Sequence, residues 1–138
     1  MIRKINSNDL EKIKILGRKY DKMFSNKYLL KGCLNDNVHY AFCFEEDDVI
    51  KGFIIFTLLY ENVEIELLFV DNQYRNKNIG TSLIKYIFDN YKNKNVLLEV
   101  SLNNIPALSL YKKMGFIEVG KRQKYYNGVD AILMKKVI

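Results

Sequence analysis

Leu67-Leu68-Phe69-Val70-Asp71-Asn72-Gln73-Tyr74-Arg75-Asn76-Lys77-Asn78-Ile79-Gly80-Thr81 is the stretch from which the architecture can be read. It opens as an apolar strand, Asp71 to Lys77 is a polar loop, and from Asn78 the residues Ile79, Leu83, Ile84, Ile87, Phe88 and Tyr91 recur at helical spacing. A strand that enters a helix through a loop brings the helix's unpaired N–H groups to one point, where the macrodipole adds about half a positive charge. Arg75 and Lys77 add two mobile cations. The segment is built to cradle phosphate, although it is neither the G-x-x-x-x-G-K-[ST] loop nor G-x-G-x-x-G. A capped surface helix that binds nothing has the same local pattern.

Upstream, Val38, Tyr40, Phe42 and Phe44 alternate with His39, Ala41 and Cys43 as a strand does. Glu45-Glu46-Asp47-Asp48 reads as a solvated turn, Val49 to Tyr60 as a long buried strand, Glu61-Asn62 as a turn and Val63 to Val70 as the returning strand. These three strands form an antiparallel meander. Before them, Ile2 to Ile5 is a short strand. Ser7 or Asn8 caps a helix carrying Leu10, Ile13, Leu16, Tyr20 and Phe24, and a short second helix covers Lys27 to Lys31. Downstream, Val96 to Val100 is a strand, and Asn104 caps a helix with Pro106 in its first turn and Gly115 just past its end. Phe116 to Tyr126 and Val129 to Val137 are strands around the hairpin signal Asn127-Gly128. The order β-α-α-β-β-β-α-β-α-β-β is that of a mixed α/β domain on one central sheet.

A chain of 138 residues corresponds to a single domain, residues 1–138. No apolar run approaches the ~18 residues of a membrane span, and the N-terminus turns polar too soon for a signal peptide. Cys33 and Cys43 form no C-x-x-C pair and read as inert buried thiols in a reducing cytoplasm. One histidine, His39, and two scattered cysteines give no basis for a zinc site or a Ser-His-Asp triad. The formal charge of +6, from 22 Lys+Arg against 16 Asp+Glu, favours an anionic ligand. No basic recognition helix or exposed aromatic strand motif points to nucleic acid.

Glu99 interrupts the apolar strand Val96 to Val100, and Asn104, Ala107, Leu110 and Tyr111 follow on the next helix. A carboxylate and a phenol beside a phosphate cradle make a base and acid pair. An edge-strand glutamate facing water and a half-buried packing tyrosine are the plainer alternatives.

These segments carry a family resemblance. The loop from Arg75 to Gly80 resembles the R/Q-x-x-G-x-G/A loop of the GNAT acetyltransferase superfamily, and Asn104 to Phe116 is similar to its N-x-x-A-x-x-L-Y-x-x-x-G-F segment. Leu98-Glu99-Val100 and the tail Arg122 to Met134 look like the RimI branch, the ribosomal-protein-alanine N-acetyltransferases. The resemblance implies the GNAT fold, a mostly antiparallel twisted sheet of about seven strands with about four helices. One departure stands out. Asn78 occupies the position of the family's first glycine, and Asn is the non-glycine residue best suited to a left-handed conformation.

The resemblance further implies direct transfer of an acetyl group from acetyl-CoA, with no metal, to a protein N-terminal α-amine such as that of a ribosomal protein. The alternative acceptor is a small amine or a lysine side chain. The backbone at Leu68, Phe69 and Val70 would hold the pantetheine arm and polarise the thioester carbonyl. Arg75, Asn76, Lys77, Asn78, Ile79, Gly80 and Thr81 would hold the diphosphate, and Asn104 the arm. Glu99 would be the general base and Tyr111 the general acid, with Glu64 and Glu66 as rival bases. Tyr125 and Tyr126 would wall a peptide groove or simply pack. A cytoplasmic monomer or weak dimer is expected.

Overall fold

The alternation of small blocks of apolar and polar residues resolves into one seven-stranded sheet in the order β1-β2-β3-β4-β5-β7-β6. The computed structural model describes residues 1–20, 24, 38–126 and 128–138, with the backbone alone at 124–126. Its elements are β1 (Ile2–Lys4), α1 (Leu10–Tyr20), β2 (His39–Glu46), β3 (Val49–Leu59), β4 (Asn62–Val70), α2 (Ile79–Asn90), β5 (Asn95–Ser101), α3 (Ile105–Lys113), β6 (Ile117–Tyr126) and β7 (Val129–Val137). Every neighbouring pair is antiparallel except β4 and β5. This is the mostly antiparallel GNAT-type α/β sheet expected, with three helices among the described residues. The helix expected over Lys27 to Lys31, Cys33, Asn127 and the side chains of Tyr125 and Tyr126 lie outside the described residues.

Local chemistry moves several boundaries. The first helix is entered through a 3-10 turn, Ser7–Asp9, capped by Asn6 and not by Ser7 or Asn8. Asn6 Oδ1 accepts from the Asn8 N–H at 2.9 Å, and Asp9 Oδ2 accepts from the Asn6 N–H at 2.8 Å. The acidic run is only half a turn. Asp47 and Asp48, at φ 55° and 61°, make the left-handed two-residue hairpin on their own. Glu45 and Glu46 therefore stay in β2, where Glu45 pairs with Arg3 at 2.9 Å and Glu46 with Lys51 at 2.8 Å. The next turn falls on Tyr60 and Glu61, with Tyr60 at φ 54°, so Asn62 already belongs to β4. Gly115, at φ 94°, ends α3 as read.

Two apolar layers sandwich the sheet. On one face Ile54, Phe56, Val63, Ile65, Val96, Leu98 and Val100 pack against Ile79, Leu83, Ile84 and Ile87 of α2 and Leu108 and Tyr111 of α3. On the other, Ile5, Ala41, Cys43, Phe53, Ile55, Leu67 and Phe69 pack against Ile13 and Leu16 of α1. Cys43 has no exposed surface, and burial pushes its thiol up to about 11.

One irregularity in β4 organises the molecule. Ile55 faces Leu67, but the next residue of β3, Phe56, faces Ile65, so Glu66 is an extra residue with no partner on β3. Such a bulge bends the strand and shifts its alternation by one. Val63 and Ile65 therefore feed the α2–α3 core, while Leu67 and Phe69 feed the α1 core. Parallel pairing with β5 stops at the same place. It runs from Asn62 opposite Asn95 to Ile65 opposite Leu98. Beyond it β4 stays with β3 and β5 stays with β7, and the sheet opens as a wedge between residues 66–70 and 99–101.

Candidate functional site

The wedge leaves the main chain of β4 from Glu66 to Val70 without a strand on its β5 side. A cleft of about 420 Å³ lies there. Its floor is Leu68, Phe69 and Val70. One wall is Arg75, Asn76, Asn78, Ile79, Gly80 and Thr81, and the other is α3 with Asn104 and Tyr111. Residues far apart in the chain, singled out separately in the sequence, thus line one cavity. Lys77 and Glu99 do not line it. Lys77 places its ammonium 5.9 Å from the centroid of the Tyr74 ring.

The loop wall is shaped by two left-handed asparagines, Asn76 and Asn78, both at φ 63°. Asn78 caps α2 without a side-chain hydrogen bond, and its carbonyl accepts from the Ser82 N–H at 3.0 Å and the Ser82 hydroxyl at 2.8 Å. The N–H groups of Ile79, Gly80 and Thr81 precede that first helical bond and have no acceptor inside the helix. A Cβ on Gly80 would stand 3.2 Å from Leu110 Cδ2, so glycine lets the first turn of α2 close against α3. Arg75 folds back, its Nε donating to the Val70 carbonyl at 3.1 Å.

On the opposite wall Asn104 caps α3, its side-chain oxygen accepting from the Ala107 N–H at 3.3 Å, which leaves its amide hydrogens to offer a ligand. Tyr111 is 7% exposed and packs edge-on against Phe116. The sequence reading missed Lys113, which shares a helical face with Pro106, Ser109 and Leu110 along the cleft. It also missed Tyr20, which enters from α1 and sets its ring edge-on to Phe69. Among the lining residues the charged ones are Arg75 and Lys113, both cationic. A row of outward-facing N–H groups, a helix N-terminus and two cations suit a long anionic ligand with an amide-bearing arm.

The carboxylates stand on the far side of the strands. Glu66 and Glu99 are the first residues past the last β4–β5 pair. Glu99 accepts from Arg122 Nη2 at 2.7 Å, and Glu66 lies 3.6 Å from His39 Nε2. His39, Thr57 and Glu64 form one row across β2, β3 and β4, so Glu64 and Glu66 share that face. No group of three metal-ligating side chains occurs among the described residues. Among them too, no helix is long and apolar enough to cross a membrane.

Residues 7–138 match the acetyltransferase (GNAT) domain. An uncharacterized N-acetyltransferase of Methanocaldococcus jannaschii is 33% identical, the alignment covering 99% of this chain and 90% of that protein. A putative [ribosomal protein bS18]-alanine N-acetyltransferase of Bacillus subtilis is 31% identical over 72% of this chain and 69% of its own length. The crystal structure of Arabidopsis thaliana NAA60 in complex with acetyl-CoA superposes with a TM-score of 0.82 at 23% identity, covering 100% of this chain and 98% of that one. The chain belongs to the GNAT acetyltransferase family.

Proposed function

We propose that the chain transfers an acetyl group from acetyl-CoA to the N-terminal α-amine of a protein, in the manner of a ribosomal-protein-alanine N-acetyltransferase. The observation that carries this reading is the wedge: a bulged, one-sided β4 that runs straight into a helix N-terminus. The Bacillus subtilis relative supports the acceptor class, and the Arabidopsis thaliana complex supports the cosubstrate.

The residues present fit acetyl-CoA. The main chain of Leu68 to Val70 has no strand on its β5 side, and once Arg75 releases the Val70 carbonyl it can pair with the amides of the pantetheine arm as an added strand would, helped by the Asn104 amide. The N–H groups of Ile79, Gly80 and Thr81, with Arg75 and Lys113, can neutralise the diphosphate. Asn76 and Asn78 shape that wall. Lys77 stands beside it as a further cation. Acetyl-CoA supplies the activated acyl group when bound. An N–H of the β4 edge would polarise the acyl carbonyl as an oxyanion donor does.

An α-amine has an ordinary pKa of about 7.7–8.0 against about 10.4 for lysine, so a carboxylate is a sufficient base for it at neutral pH. Glu99 takes that part, and Tyr111 supplies the proton required by the departing thiolate. The decisive experiment is thiol release from acetyl-CoA with a panel of acceptors: peptides beginning with Ala, N-terminally blocked peptides with an internal Lys, and small polyamines. Turnover is expected on free N-termini, and consumption of only the blocked peptides or polyamines would establish the other acceptor class. Glu99→Gln and Tyr111→Phe are each expected to lower kcat about 10²–10⁴-fold. Turnover near the wild-type rate in either variant removes that residue from the mechanism, and parallel Glu64→Gln and Glu66→Gln variants identify a rival base.

A further inference from the structure

The carboxylate of Glu99 is unevenly engaged. Oε1 accepts a 2.7 Å hydrogen bond from Arg122, whereas Oε2 has no hydrogen-bond partner among the described residues. The donor arrives from two strands away. Arg122 belongs to β6, the edge strand, and β7 separates it from β5. Arg122 is registered with Ala131 of β7, and Ala131 with Ser101 of β5. The row Arg122-Ala131-Ser101 crosses the sheet two residues along from Glu99, on the face that Glu99 shares. Ala131 is fully buried and small, so the arginine arm can pass over β7 to the glutamate. Arg122 is also the last residue registered with β7 before a second irregularity in β6, beside the β6–β7 hairpin.

Stability does not account for the pair. The Arg122 side chain is 51% exposed and that of Glu99 24%, and exposed ion pairs contribute little to folding. What a charge-assisted bond of this length does fix is the direction of a flexible carboxylate. Glu99 stands at the branch point of the wedge, the first β5 residue past its last pairing with β4. A carboxylate held through one oxygen presents the other in a fixed direction.

From this we infer that Arg122 is a positioning residue for acetyl transfer, pinning Glu99 by Oε1 and presenting Oε2 as the atom that takes the amine proton. The inference rests on the reading of Glu99 as the base. As the new C–N bond forms and the C–S bond breaks, the amine's proton goes to Oε2 and the thiolate takes a proton from Tyr111. Arg122 exchanges none.

The test is steady-state kinetics, varying peptide at saturating acetyl-CoA and acetyl-CoA at saturating peptide, for Arg122→Met, Arg122→Lys, Glu99→Gln and the double variant, with melting curves alongside. Arg122→Met is expected to lower kcat about 100-fold, the scale of a misplaced catalytic group, with the acetyl-CoA KM and the melting temperature unchanged. Arg122→Lys should recover part of the loss, and methylguanidinium should rescue an Arg122→Gly variant. In the Glu99→Gln background, Arg122→Met should cost less than about twofold, because the carboxylate it orients is gone. Full turnover by Arg122→Met, or an undiminished loss in the Glu99→Gln background, overturns the inference while leaving the function intact. Wild-type turnover by Glu99→Gln overturns both the base assignment and this inference.

Discussion

Replacing Asn78 separates two things that the loop before α2 asks of one residue. Its backbone is left-handed, at φ 63° and ψ 20°, and its side chain makes no capping hydrogen bond, so substitutions report on backbone conformation and on the space taken by Cβ. An ordinary L-residue loses about 1–2 kcal/mol in this conformation, and Asn loses least. Asn78→Ala is therefore expected to destabilise by about 1 kcal/mol, near 4 °C in Tm for a domain of this size, and β-branched Asn78→Val by about 2 kcal/mol. Asn78→Gly relieves the conformation but makes the unfolded chain more flexible by a similar amount, so its melting curve should stay within about 2 °C of wild type. Ligand affinity should follow a different order. The N–H groups of Ile79, Gly80 and Thr81 bind a diphosphate best when the chain can approach closely, and Asn78 lines the cleft beside them. Loss of its Cβ should improve these charge-assisted bonds by about 0.5–1 kcal/mol in total, a two- to fivefold tighter Kd for acetyl-CoA. Asn78→Ala should bind as wild type does. Ligand-free melting curves and titration calorimetry with acetyl-CoA read the two effects independently. An Asn78→Ala protein as stable as wild type would refute the backbone argument. An unchanged Kd in Asn78→Gly would refute the claim that main-chain approach limits affinity.

Acid should loosen the corner where β1 meets the first helix. Arg3 holds both oxygens of the buried Asp9, at 2.8 and 2.9 Å, which keeps that carboxyl below the usual carboxylate range. A lowered folded-state value contributes stability above the unfolded value near 4, and this is lost as pH falls through the folded one. Asp9→Asn should therefore flatten the acid limb of a Tm-against-pH curve and lower Tm at pH 7 by the equivalent of about 2 kcal/mol; an acid limb as steep as wild type would show that Asp9 is not its source. In a Cys33→Ser background the remaining thiol, Cys43, has no exposed surface and is pushed up to about 11. An aromatic disulfide reagent at pH 8 should leave it unlabelled until denaturant unfolds the chain, and rapid labelling of the native protein would contradict its placement.

The strand, loop and helix start from Leu67 to Thr81 were legible in the sequence because everything that defines them is local. The same holds for Asn104 and Tyr111, whose helix places cap and phenol two turns apart. Lys113 was legible in principle, since it continues the helical stripe of Pro106, Ser109 and Leu110. Tyr20 was not. It belongs to a helix on the opposite face of the sheet, and only the packing of that helix end on Phe69 brings it to the cleft. The Arg122–Glu99 pair was hidden for a related reason: β7 inserts between β5 and β6, and that order follows from sheet topology, which no local pattern encodes. The displaced turns show propensity yielding to geometry, with Tyr60 taking the left-handed place that a reader assigns more readily to Asn62.

The bulge at Glu66 is where one added residue opens the cleft. Through Ile65 the strand alternates, with Val63 and Ile65 inward and Glu64 outward. From Leu67 to Phe69 every residue is apolar, and this change of period is the trace that the bulge leaves in the sequence. A strand with one buried face has become a strand buried on both. The shift sends Leu67 and Phe69 to the α1 core and turns Leu68 and Val70 toward α2 and α3. The added bend and twist carry β4 away from β5 at that residue, so the hydrogen-bonding edge is freed where both faces are covered. Exposed main chain in an apolar surround is costly unless something pairs with it. A ligand whose arm carries amides and whose far end carries phosphate meets that need at β4 and then at the start of α2. On the proposed function the irregular residue would let the cleft take a coenzyme arm, and it leaves Glu66 and Glu99 as the first residues past the last β4–β5 pair, on either side of the opening an acceptor amine would use.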